Sequence, residues 1–140
     1  MTDIELAKKS LPGHSVALCS GGNVITDDRR GVASLLGLID EGRNLRGCSA
    51  ADKIVGKAAA MLFVKLGAAE VWADVASESG MSFLKAHGIR CGCRVLVKKI
   101  INRDGTGQCP MESTVAETDD VEAGILLLRQ KLKTLQKRVV

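Results

Sequence analysis

Asn102-Arg103-Asp104-Gly105-Thr106-Gly107-Gln108 and the Cys109-Pro110-Met111-Glu112 that follows hold the residues best suited to chemistry in this chain. Pro110 suits the first position of a helix, which makes Cys109 its N-cap and sets Glu112 at capping-box spacing. A thiolate there faces free backbone N–H groups and the positive end of the helix dipole, which lowers its pKa and readies it as a nucleophile or redox-sensitive thiol. The competing reading is an inert cap or buried thiol, because His14 and His87 are the only histidines and neither is near in sequence. Asn102, Arg103, Asp104 and Thr106 suit a polar or anionic ligand: Arg103 can fork onto a carboxylate or phosphate, and the glycines let backbone N–H groups approach. A self-bonded loop, with Asp104 turning on Gly105, is the alternative.

Two further groups carry charge or hydroxyls at helix starts. Asp52 and Lys53 can form a charged pair; otherwise Asp52 is the capping-box partner of Ser49 and Lys53 is solvated. Glu78, between Ser77 and Ser79, can bind a ligand amino group or simply complement a helix dipole. Cys91-Gly92-Cys93 sets two thiols on one strand face, a poor geometry for one tetrahedral ion, and no second paired motif exists, so core packing is expected and no metal or cofactor is. The Gly-x-Gly of the polar loop lacks both the strand-to-helix setting of a dinucleotide fingerprint and the Gly-Lys-Thr end of a P-loop.

These groups need elements to hold them. Thr2 and Glu5 have capping-box spacing ahead of a short helix that Pro12-Gly13 stops. Residues 15–19 and 24–26 flank Gly21-Gly22-Asn23 as a β-hairpin. A helix over 31–40 follows, then the longest helix over 50–66, capped by Ser49 and ended by Gly67, with Asp52 at its third position. Residues 71–76 read as a buried strand leading into a helix over 80–87. A strand over 89–101 sets Cys91, Cys93, Val95 and Val97 on one face, and a last amphipathic helix starts at Asp119 with Glu122 at capping spacing. The pattern predicts one α/β domain over 1–140, three layers around a mixed sheet. Ligands of such folds sit beyond the carboxyl ends of the parallel strands, where the start of the long helix, Ser77-Glu78-Ser79 and the 102–112 loop would converge.

Length and composition agree: 140 residues, 46% hydrophobic and 26% charged, are enough for one core and exclude a disordered chain. Aromatics are 2%, which removes the stacking platforms of single-strand nucleic-acid binders. The net charge of +4 owes much to Arg129, Lys131, Lys133, Lys137 and Arg138, read as a solvated helix face rather than a nucleic-acid site. Asp3, Glu5, Lys8 and Lys9 interrupt any leader, no stretch reaches a membrane span, and five cysteines in an odd count read as reduced thiols, so a cytoplasmic location is expected.

Three segments, Ala51-Asp52-Lys53-Ile54-Val55-Gly56-Lys57-Ala58-Ala59-Ala60, Ser77-Glu78-Ser79 and the run from Asn102 to Glu112, resemble a small family of uncharacterised bacterial and archaeal proteins with a cytidine-deaminase-like fold. The resemblance spans the hairpin to the final helix. It implies a fold and no established activity. Zinc deaminases place His or Cys, any residue, then Glu at the central helix start and Pro-Cys-x-x-Cys at the next. This chain has Asp52 and Lys53, then Ser77, Glu78 and Ser79, and no Cys-x-x-Cys, which argues strongly against zinc-hydroxide chemistry. The expectation is a zinc-free domain binding a small polar or nucleotide-like metabolite. The alternative is a metal-independent group-transfer enzyme with Cys109 as nucleophile and Glu112, Asp52 or Lys53 handling protons. A homo-oligomeric scaffold is the third reading, served by a surplus apolar stripe on the last helix.

Overall fold

In the computed structural model, which describes residues 1–102 and 104–137, the chain begins with helix α1 (Asp3–Ser10). Thr2 caps it, and Glu5 reaches back to the Thr2 N–H in a reciprocal capping box. Strands β1 (Val16–Ser20) and β2 (Asn23–Asp27) form the expected hairpin. Gly21 and Gly22 both have positive φ, 58° and 84°, as a two-residue turn of this twist requires, and the Asp3 carboxylate accepts both their N–H groups. Helix α2 (Val32–Asp40) then leads to strand β3 (Ser49–Val55) and helix α3 (Lys57–Leu66).

This is the main departure from the sequence reading. Residues 49–55 are a strand, so Ser49 caps nothing, Asp52 and Lys53 lie within β3, and the helix starts only after Gly56. A strand covered on both faces is continuously apolar, and Ala50-Ala51 followed by an alanine-rich helix carries no period that separates the two. The longest helix is instead the last one.

Strand β4 (Glu70–Ser77), helix α4 (Glu78–Ala86) and strand β5 (Arg90–Val97) complete the sheet. Helices α5 (Pro110–Val115) and α6 (Val121–Lys137) follow. Strand order is β2-β1-β3-β4-β5; β1 is antiparallel to both β2 and β3, whereas β3, β4 and β5 are parallel. The fold is α/β on a mixed five-stranded sheet, as the sequence predicts. Helix α1 covers one face, with Ala7 and Leu11 packed near Cys19, Ala51 and Trp72. The larger core lies on the other, where Phe63, Leu62 and Met61 of α3 meet Leu18, Val71, Leu35 and Leu84. Helices α5 and α6 close over α3.

One level of the sheet is irregular. Both parallel ladders skip the level of Lys53, Asp74 and Arg94 and resume in the same register beyond it. There the alternation slips: Lys53 and Ile54 are both exposed before Val55 turns back into the core, and Arg94, Val95 and Leu96 are exposed in succession.

Candidate functional site

Glu112 holds the junction of the three segments together. Its carboxylate is 6% exposed and accepts the N–H of Lys57 at 2.8 Å and of Ala58 at 2.9 Å. These are orphan donors at the start of α3, whose N-cap Gly56 has no side chain to offer them. Glu112 therefore caps another helix, not the one that Cys109 begins. The position beside Gly56 explains the glycine, because a Cβ there would overlap the Glu112 carboxylate. Burial pushes the Glu112 carboxyl up, against the two backbone N–H bonds and Lys57, which pull it down.

The start of α4 closes on the same point. Ser77 is buried, caps α4 by accepting the Gly80 N–H at 3.0 Å, and lies 3.2 Å from the Ser79 hydroxyl. A Cβ on Gly80 would stand 2.8 Å from the Gly56 carbonyl carbon and 2.9 Å from the Val55 oxygen, so the two helix starts meet backbone to backbone. Glu78 and Ser79 are exposed beside this contact. The starts of α3 and α4 and Glu112 thus meet in a packed joint, whereas Ser49–Lys53, expected as the helix start, lie within β3. Two surface clefts occur elsewhere, one of about 390 Å³ bordered by Thr2, Asp3, Ser49, Glu70 and Arg90, the other of about 200 Å³ bordered by Arg43, Asn44, Arg46 and Lys65.

The 102–112 loop folds on itself. The Asn102 side chain accepts the Thr106 N–H at 3.0 Å and donates to the Thr106 hydroxyl at 3.1 Å, while Ile101 and Gln108 form a bridge. Asp104 and Thr106 are exposed, and Arg103 lies outside the described residues. Cys109 is the N-cap of α5 in position only: its side chain makes no capping bond and the residue is half-buried.

Asp52 and Lys53 are divided by the pleat. Neighbours on a strand point to opposite faces, so they do not pair with each other. Lys53 is exposed, on the level of Asp74 and Arg94, where Arg94 donates to Asp74 at 2.5 Å. Asp52 stands opposite Val16 on the side of the main core. It makes no ion pair among the described residues, and its Oδ1 accepts the N–H of Ile54 at 3.4 Å. The residue keeps some solvent contact, yet burial of the carboxyl pushes it up to about 7.

A neighbouring pair escaped the sequence reading. His14 Nδ1 lies 2.6 Å from Asp28 Oδ1, just before Ser15, whose N–H donates to the Asp27 oxygen and whose oxygen accepts the Lys53 N–H. His14 and Asp28 flank the open end of the β1–β2 hairpin, and no sequence spacing foretells that they meet. Among the described residues no three His, Cys, Asp or Glu side chains gather as a metal ion requires. No helix among them is long and apolar enough to cross a membrane.

Comparison with known proteins gives a family and no activity. No curated protein matches the sequence. The crystal structure of a DUF1893 family protein (TM1506) from Thermotoga maritima is similar at 28% identity and a TM-score of 0.77, over 84% of this chain and 80% of that one. A diaminohydroxyphosphoribosylaminopyrimidine deaminase/5-amino-6-(5-phosphoribosylamino)uracil reductase from Thermotoga maritima reaches a TM-score of 0.45 at 16% identity, over 65% of this chain and 34% of that one, too slight a likeness to bear on fold or activity. The family model TM1506, a domain of unknown function (DUF1893), matches residues 6–132, and the chain belongs to that family.

Proposed function

We propose that the chain is a cytoplasmic domain that binds a small polar or nucleotide-like metabolite at the carboxyl end of β3, where β3 borders β1. In open α/β sheets, ligands sit outside the carboxyl ends of strands, at the point where successive connections turn in opposite directions. Here the chain builds β2 on one side of β1 and then returns to build β3, β4 and β5 on the other. The observation that carries the reading is Asp52, an acidic group midway along β3 where its pairing with β1 ends, on the core side of the sheet and without an ion pair among the described residues. Lys53 is exposed on the other face of the same strand, and Glu78 and Ser79 are exposed at the start of α4. The cytidine-deaminase-like ancestry belongs to this same proposal. It rests on the resemblance of the three segments and asks for no zinc.

A thermal-shift screen with nucleosides, nucleotides and amino-acid metabolites tests it. A ligand at a hundred times its Kd stabilises by about 2.7 kcal/mol, which raises Tm by several degrees. The Asp52→Asn chain should lose most of that rise. No stabilisation by any compound at millimolar concentration would remove the reading.

The group-transfer reading keeps one point in its favour: the Cys109 thiol is not used in capping and is half-buried, not sealed. Glu112 is committed to α3 and is a poor proton carrier for it. Selective alkylation of Cys109 near pH 7 favours that enzyme; labelling only after unfolding removes its nucleophile.

A further inference from the structure

The larger surface cleft opens at the amino ends of the parallel strands, the end of the sheet away from the site proposed above. Ser49, Glu70 and Arg90 are the first residues of β3, β4 and β5, and strand pairing sets them in one row. The row faces α1. Two residues further along their strands, Ala51 and Trp72 pack with Ala7 and Leu11 of that helix, and alternate residues of a strand share a face. Backbone bonds fix the entry to the row: the Ala69 N–H donates to the Cys48 oxygen at 2.8 Å, and the Arg90 N–H to the Ala69 oxygen at 3.2 Å. The cleft, about 390 Å³, has the size of a small-molecule site, and its floor is in place before any ligand arrives.

Three polar groups of the row have unused capacity. Ser49 is 8% exposed, and its hydroxyl has no protein partner among the described residues. No sealed side-chain oxygen or nitrogen among them goes without one, so the surface left to Ser49 includes its hydroxyl, and that surface borders the cleft. Arg90 Nη2 and Glu70 Oε1 are 3.5 Å apart, longer than the about 2.7–2.9 Å of a charge-assisted hydrogen bond. They attract without bonding, which leaves the guanidinium its donors and the carboxylate its acceptors. The Asp3 carboxylate, the other charge at the cleft, is already taken by the N–H groups of Gly21 and Gly22.

We propose that this cleft binds a small zwitterion of the α-amino acid class. Its ammonium group donates to the Glu70 carboxylate and to the Ser49 hydroxyl, the neighbour of Glu70 in the row, and its carboxylate accepts from the Arg90 guanidinium. An α-amino acid carries its two charges on one carbon, as close together as this cation and anion. A lone anion would meet Glu70 and a lone cation would meet Arg90, so the pair selects both charges at once. Half-buried Ile4 at the wall suits a short apolar side chain. The site uses nothing of the Asp52 region.

Titration of the full chain with L-alanine tests it. Trp72, the only tryptophan, lies two residues from Glu70 on the same face of β4 and serves as the fluorescent reporter. Saturation-transfer NMR reads contact of the same probe without relying on the indole. A saturable response at millimolar L-alanine is expected, with propanoate and ethylamine, which carry one charge each, at least about tenfold weaker. Glu70→Gln and Arg90→Gln should each raise the Kd by at least about that factor, and Ser49→Ala severalfold, while Asp52→Asn binds as the wild type does. No response by either method overturns the site, as does propanoate or ethylamine binding as tightly as L-alanine, or a Kd that neither Glu70→Gln nor Arg90→Gln moves. Binding lost in Asp52→Asn and kept in Glu70→Gln assigns the amino acid to the carboxyl-end site and overturns this one. Binding kept in Asp52→Asn and lost in Glu70→Gln supports the cleft, whatever becomes of the carboxyl-end reading.

Discussion

Asp52 and Glu112 both carry buried carboxyls, but burial has different consequences for each. Glu112 has two close backbone N–H partners, whereas the contact of Asp52 with the Ile54 N–H is long. The free Asp52 carboxyl ionises near 3.8 and the folded one near 7, so between those values the folded chain keeps a proton that the unfolded chain has released. The stability from this residue is full below about pH 4 and is lost as the pH rises through 7, by up to about 4 kcal/mol. Paired melts of wild type and Asp52→Asn from pH 4.5 to 7.5 should show the wild type losing several degrees relative to the variant; parallel curves would mean the carboxyl ionises normally. For Glu112→Ala the expectation is a loss at all pH values. Two buried amides go unpaired, at about 1–3 kcal/mol each, and denaturant melts should show it, with Glu112→Gln keeping part of the loss back. The thiols divide by burial too: Cys19 and Cys48 are buried, the latter pushed up to about 11, while Cys91, Cys93 and Cys109 are half-buried. Mass spectrometry after brief alkylation at pH 7.5 should find Cys19 and Cys48 unlabelled in the folded chain and labelled in denaturant.

At the scale of elements, what could be read from the sequence was what local chemistry decides. The α1 capping box, the Gly21-Gly22 turn and the Cys109-Pro110 helix start each depend on residues within four positions of one another. The start of α3 could not be read this way, because its cap comes from Glu112, 55 residues from Lys57. Nor could the position of Asp52, which depends on whether an alanine-rich run is a strand between two covered faces or a helix. The final helix shows the same limit on a small scale. Its start is held by Asp120, which accepts the Ala123 N–H, whereas Asp119 pairs with Lys57 of α3 at 2.8 Å. The two glycines at the joint are testable as elements. Gly80→Ala drives a methyl into immovable backbone and should cost about 1–3 kcal/mol; Gly56→Ala meets the end of a side chain and should expel the Glu112 carboxylate instead. If Gly80→Ala melts like the wild type, the two helix starts are further apart than described.

For the whole molecule, the free half of the sheet and the closed joint divide the carboxyl edge into two unlike regions. Near α3 and α4 the space is filled by glycine contacts and a carboxylate, and near the start of β1 lie the His14–Asp28 pair and Asp52. The metabolite site proposed above belongs to the second region. The bond between Glu112 and the start of α3 also orders events during synthesis. A ribosome that has released residues 1–109 has delivered the whole sheet and its helices α1–α4, yet the first turn of α3 still lacks its acceptor. The nascent chain must wait with that end frayed until α5 emerges, which makes the segment after residue 109 the part that locks a sheet made earlier.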